Sequence, residues 1–405
     1  MRKKDKKQIS IIPPRHAVPE SDQLTTPAKV VTVAVLTGVF AYTIYDYLSE
    51  VSRGGNPWCL SDWLVNYSSG FALRGACGEF ALFLSKNMNL DLLWTVATIQ
   101  SILLLLVYFL ILLIFCSFKR SSVELMILFS PVLLLFPLYD PLTGLRKEIL
   151  VYIPFLLYIW SLLKGKLSSY IVMLVPAMYA FALFSHELAV FVLPFFLLLT
   201  FLFFHLQIIE ERRMYLLMAF FVIPTVVTLV CMFVFMGRDT TDMCNQLISN
   251  GINPSYCTKG SLLAFDHYAH GPRSVVNHIF ERFYLFTYGA AFVLALLPFF
   301  FMQNVNIPKK YFVAFPIGAF LFMLPLYIFA IDWGRWVHIY IFFLSTLVFA
   351  LAPLGYLKPR MKVPVILIVA YAMLWSMHHC CFGGLGIGAG YLVNNLLYDI
   401  VKYSI

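Results

Sequence analysis

The chain reads as an all-α polytopic membrane protein, and three observations predict it. Of 405 residues, 61% are hydrophobic and only 12% carry charge, where a soluble domain carries about 25% charged residues. Mean hydropathy is +0.83. The apolar residues fall in long continuous runs rather than in alternation, and backbone polar groups in hydrocarbon need the internal partners that a helix provides. Too little charge is present to cover a soluble surface. A soluble enzyme, a nucleic-acid binder and a disordered chain are thereby excluded. The net charge of +9 comes from basic clusters between apolar runs, a pattern that encodes topology rather than affinity for nucleic acid.

A spanning helix needs about 20 apolar residues. Eleven runs meet or approach this: 29–48, 90–117, 121–138, 149–163, 167–184, 188–206, 214–236, 283–302, 311–330, 337–356 and 363–377. Residues 1–28 form a basic tail with Arg2, Lys3, Lys4, Lys6, Lys7 and Arg15, too polar for a cleaved leader. With that tail cytoplasmic, the inner loops hold Lys119/Arg120, Lys164/Lys166, Arg212/Arg213, Lys309/Lys310 and Lys358/Arg360/Lys362. Each is a short basic clamp, as the positive-inside rule expects. Residues 29–377 form the bundle, with outer loops at 46–89, 139–148, 237–282 and 331–336. Residues 378–405 form an outer tail, whose 391–402 stretch has the pattern of an amphipathic surface helix.

Cysteine usage agrees with that orientation. Cys59, Cys77, Cys244, Cys257, Cys380 and Cys381 all fall on the outer side, where an oxidising compartment lets disulfides persist. Cys59–Cys77 and Cys244–Cys257 are the candidate bridges; free thiols are the alternative.

Polar chemistry is concentrated on the same side. The first outer loop carries Asp46, Glu50, Asp62, Trp63, Asn66, Tyr67 and Arg74. The second reads Asp140 through Arg146-Lys147-Glu148. The third is His186-Glu187, between two apolar runs. The fourth holds Asp266, His267 and Tyr268. The fifth reads Asp332-Trp333-Gly334-Arg335-Trp336, followed by His338. Ionisable groups at the edge of an apolar run are costly and generally face a cavity or a partner. Five such clusters on one side predict a polar cavity open to the outside and sealed from the cytoplasm. Lys86, Arg238 and Lys259 read equally well as cations snorkelling to lipid phosphate. An intrahelical ion pair is the rival explanation of Asp332 with Arg335, and a helix cap that of His186-Glu187. The run His378-His379-Cys380-Cys381 lacks metal-ligand spacing. No cofactor and no metal are called for. The acidic group Asp46, Glu50 and Asp62 is where a metal would have to bind.

An arginine-rich cavity facing outward suits an enzyme whose leaving group is a pyrophosphate, because guanidinium holds phosphate bidentately. A His or a carboxylate nearby is a candidate proton acceptor for an attacking hydroxyl.

The combination of Asn66–Gly75 (N-x₃-G-F-x₂-R-G), Asp140–Glu148, Ser185-His186-Glu187 and Asp332–Trp336 resembles the Wzy-type O-antigen and surface-polysaccharide polymerases. The resemblance implies a GT-C-like bundle in the bacterial inner membrane, N-terminus cytoplasmic and C-terminus periplasmic. It implies polymerisation of undecaprenyl-pyrophosphate-linked oligosaccharides, as donor and acceptor, at the periplasmic face. The partners implied are membrane lipids, a chain-length regulator and a flippase. On this expectation Arg74, Arg146, Lys147 and Arg335 bind pyrophosphate, and His186, Glu187 and Asp332 are the catalytic candidates. Trp63, Tyr67, Asp266, His267, Tyr268, Trp333 and Trp336 bind glycan, and Asp46, Asn66, Asp140, Glu148 and His338 are further candidates. A GT-C transferase using a polyprenyl-monophosphate sugar is one alternative, and a polysaccharide-unit flippase is another.

Overall fold

The computed structural model describes residues 20–235, 240–262, 272–380 and 385–388. Within them the chain is a helical bundle with two small two-stranded ribbons.

Polar side chains start many of the helices by accepting the otherwise unpaired N–H groups of the first turn. Thr25 caps α1 (Thr26–Ser52), and Asn56 caps α2 (Pro57–Leu64). Next come α3 (Gly75–Met88) and α4 (Leu92–Cys116), the latter capped by Asp91 through the Trp94 N–H at 2.9 Å. A reciprocal Ser121/Glu124 capping box opens α5 (Ser122–Leu128).

The expected 121–138 span is not one helix. It stops before Ser130-Pro131, runs through turns, and restarts as α6 (Phe136–Tyr139) with Pro137 in its first turn. Proline lacks the N–H and disfavours helix in the residue before it, so this run packs inside the bundle as a broken segment. After it come α7 (Pro141–Gly144), α8 (Ile149–Leu163) and α9 (Ser169–Ser185). A 3-10 turn, Glu187–Val192, leads into α10 (Leu193–His205), and α11 follows (Glu211–Val234).

Among its described residues the 237–282 segment contains short helices α12 (Thr241–Ser249), α13 (Ser255–Thr258) and α14 (Pro272–Glu281). An 83° bend separates α14 from α15 (Tyr284–Phe300), with Phe283 at positive φ in the corner. Then come α16 (Lys309–Phe329), α17 (Trp333–Leu351) and α18 (Val365–Leu374).

Six helical stretches among the described residues are long and apolar enough to cross a membrane, or seven with the bent α14–α15 pair. That is fewer than the eleven expected. Runs 149–163, 167–184 and 363–377 form shorter helices of 10–17 residues, and run 121–138 is broken. The chain is a multi-pass, mostly helical membrane protein.

Burial separates the helices into an axle and a jacket. In α17, 94% of the spanning window is buried, against 17% in α1 and in α16. The lipid-facing jacket shows residues such as Val30, Leu321 and Ile366. Around α17, Tyr152, Phe155, Phe195, Phe342 and Phe343 stack on one another. The axle passes straight between the two polar ends of the molecule.

One of those ends is closed by Arg120, which is fully buried. It pairs with Glu124 at 2.7 Å and donates to the carbonyls of Ile114, Phe115 and Phe349. Lys29 donates to the Cys116 and Phe118 carbonyls beside it. An antiparallel ribbon, Met302–Asn304 with Leu357–Pro359, ties α15 to the segment after α17. The basic clamps at 119–120 and 358–362 belong to this end.

Candidate active site

The other end of α17 holds the acids and bases. Asp332 precedes its first turn and Arg335 lies one turn in. Arg335 donates to Glu148 and, at 3.2 Å, to Asp332 Oδ2. Its Nη2 is 2.9 Å from His186 Nε2. Arg146 reaches the same Asp332 oxygen at 3.4 Å and the Ser261 hydroxyl at 3.1 Å. Arg74 grips Glu187 with two N–H groups, the Nε contact being 2.8 Å, and lies 3.8 Å from Asp62. Lys147 donates to the Arg74 carbonyl at 2.8 Å. Four cations and four carboxylates from five stretches of chain therefore form one mesh.

Local geometry explains how Arg74 arrives there. Its φ of +79° is left-handed, unusual for a side-chain-bearing residue. The strain is tolerated because α3 is pinned behind it: a Cβ on Gly78 would sit 2.0 Å from the Val65 carbonyl. Asn66 builds the preceding turn, with Oδ1 accepting from the Ser68 N–H and hydroxyl. Ser69 Oγ accepts from the Met243 N–H of α12 at 3.0 Å, and Cys244–Cys257 closes that loop as expected.

Burial and charge act against each other here. Burial would raise the Asp62 carboxyl, but Lys147, His186, Arg146 and Arg74 together hold it below the usual carboxylate range. Neither Asp62 oxygen has a hydrogen-bond partner among the described residues. Burial lowers the Lys147 ammonium, and Asp62 opposes that. Burial would likewise raise Asp332, yet Arg146 and Arg335 hold it down. A cavity with room for about one water molecule lies between Arg146, Glu148, Tyr152 and Arg335. Arg146 Nε, Glu148 Oε2, Tyr152 OH and Thr143 Oγ1 around it lack hydrogen-bond partners among the described residues.

His186 is boxed in. Its Nδ1 takes the Leu188 N–H at 3.2 Å and lies 3.4 Å from Glu187, while its Nε2 faces Arg335. Neither nitrogen is offered outward. His338 hydrogen-bonds the Val132 carbonyl through Nδ1 and stacks on Phe136. The mesh is reached through Arg74, 30% exposed, and Asp332, 21% exposed, with Glu187 and Arg146 behind them.

The structure thus gathers Arg74, Arg146, Lys147, Glu148, His186, Glu187, Asp332 and Arg335, with Asp140 next to them. Asp46 lies within α1. Among the aromatic candidates, Trp63, Trp333 and Trp336 are buried. Trp63 donates to the Leu145 carbonyl and Trp333 to the Tyr327 carbonyl, so they hold the scaffold. Tyr67 reaches the surface, stacked on Phe71. Cys59 and Cys77 do not form the expected bridge. They sit buried on α2 and α3, Cys59 beside Gln100, and burial pushes both thiols up to about 12. Asp266, His267 and Tyr268, the 391–402 stretch and tail residues 1–19 lie outside the described residues.

Two groups at this site went unranked in the sequence, Asp62 and His379, whose Nδ1 lies 2.6 Å from Asp140 Oδ2. Asp62 stood out only as one of three loop acids, and His379 only as part of a poor metal motif. The sole local hint for Asp62 is a carboxylate on an otherwise apolar helix. No protein-family model, curated protein or solved structure matches this chain.

Proposed function

We propose that this protein polymerises undecaprenyl-pyrophosphate-linked oligosaccharide units into a surface polysaccharide, at the periplasmic face of the bacterial inner membrane, in a GT-C-like bundle. The observation that carries the reading is the mesh itself: from three separate segments, Arg146 and Arg335 share Asp332, Arg74 grips Glu187, and Lys147 donates to the Arg74 carbonyl at the same end of the bundle. Arg74, already held in fork geometry by Glu187, is set to take phosphate oxygens in the same geometry. The donor pyrophosphate displaces Glu187 from Arg74 first, because that pair lies nearest the open face. Arg335 and Arg146 then stabilise the charge that develops as the lipid pyrophosphate leaves. The sealed Arg120 end supports an enzyme open to one side only.

In a strain lacking the gene, the polysaccharide ladder disappears while lipid-linked single units remain. Single units that accumulate without reaching the periplasmic face would instead point to a flippase. Complementation with Arg146→Ala leaves chains at one or two units, whereas a normal ladder from a well-expressed variant would remove Arg146 from the site. Purified protein is expected to elongate pyrophosphate-linked and not monophosphate-linked donors, which separates polymerisation from sugar transfer by a monophosphate enzyme.

A further inference from the structure

His379 lies in the segment after α18 and is held in two directions. Asp140 Oδ2 takes both its backbone N–H and its Nδ1, each at 2.6 Å. Its carbonyl accepts the Gly334 N–H at 3.0 Å, which fixes the segment against the first turn of α17. That approach needs glycine, since a Cβ on Gly334 would lie 2.1 Å from the His378 carbonyl. A carboxylate on Nδ1 fixes the tautomer and leaves Nε2 as the basic nitrogen. Nothing among the described residues hydrogen-bonds that Nε2, and the side chain keeps some exposure. Of the other proton-acceptor candidates, His186 faces Arg335, Asp332 holds two arginines, and Glu187 holds Arg74 until the donor pyrophosphate takes its place there.

We infer that His379, oriented by Asp140, is the general base that deprotonates the acceptor sugar hydroxyl, an assignment that rests on the polymerase reading. The acceptor oxygen bonds to the donor's anomeric carbon, and its proton passes to His379 Nε2. The anomeric carbon–oxygen bond to pyrophosphate breaks, and its electron pair leaves with the lipid pyrophosphate. Burial lowers the imidazolium, but Asp140 and then Asp332 raise it above the ordinary histidine range against Arg146. His378 is the other titratable group beside the pair.

The test uses full-length protein in proteoliposomes with lipid-pyrophosphate repeat units. His379→Ala is expected to slow elongation about 10²–10⁴-fold, to retain donor binding, and to regain rate with added imidazole. Asp140→Asn is expected to move the acidic limb of the pH–rate profile to lower pH. Near-normal elongation by His379→Ala, or a loss that imidazole does not relieve, overturns the assignment while leaving the polymerase reading intact. Wild-type protein that makes no polymer overturns both.

Discussion

Arg335 shows what a single residue contributes to this site. It touches Glu148, Asp332 and His186 at once from a buried position. Removing one partner of a buried ion pair leaves the other uncompensated and costs about 3–5 kcal/mol. Arg335→Ala is therefore expected to lower the thermal midpoint in detergent and abolish elongation. Arg335→Lys keeps the charge but loses the fork, so it is expected to keep most of the stability and still elongate poorly. A lysine variant as active as wild type would show that charge alone suffices. The Asp140–His379 pair makes a stability prediction as well. Asp140 is depressed below 3.8, chiefly by His379 working against burial, so its contribution is lost as pH falls through that lowered value. His379 is raised above 6.5, so its contribution is complete below 6.5 and is lost as pH rises through the raised value. The pair stabilises most between about 4 and 6.5, and Asp140→Asn is expected to lower the melting midpoint throughout that window and to flatten its fall on either side.

Elements position these residues through two kinds of contact. Close backbone approach is one: α3 meets the Val65 carbonyl at Gly78. Gly78→Ala overpacks that crossing at a cost of roughly 1–3 kcal/mol, and it is expected to weaken donor binding by shifting Arg74. The other is the loop that braces the turn before Arg74. α12 carries Cys244, and its Met243 N–H meets Ser69. Cys244→Ser is expected to cost about 2–4 kcal/mol, read as a lower melting midpoint. An unchanged midpoint would mean that the bridge does not restrain the loop. The sequence pattern located most of these elements, since apolar runs bounded by caps and prolines mark helices well. It failed at 121–138, where Pro131 interrupts a run whose hydropathy alone is continuous. It also failed at Cys59 and Cys77, because loop membership says nothing about which way two thiols face.

Across the whole molecule, polar groups divide between the two ends of α17, with Arg335 and the Phe349 carbonyl about 20 Å apart along its axis. If the Arg120 end is cytoplasmic, as the basic clamps imply, a cysteine at exposed Lys166 will react with an impermeant maleimide only after permeabilisation. A cysteine at exposed Asn87 will react in intact spheroplasts. The reverse pattern would invert the topology and remove the periplasmic site. Composition by itself determined that the chain is helical and membrane-embedded, and that its ionisable residues crowd the ends of apolar runs, because hydropathy and the cost of burying charge are properties of local sequence. Only the tertiary structure decided the partners. Glu148 and Arg335 are 187 positions apart, and Asp140 finds His379 across 239. Such pairs form because packing around one buried helix brings distant segments to the same end, and no local pattern encodes that convergence.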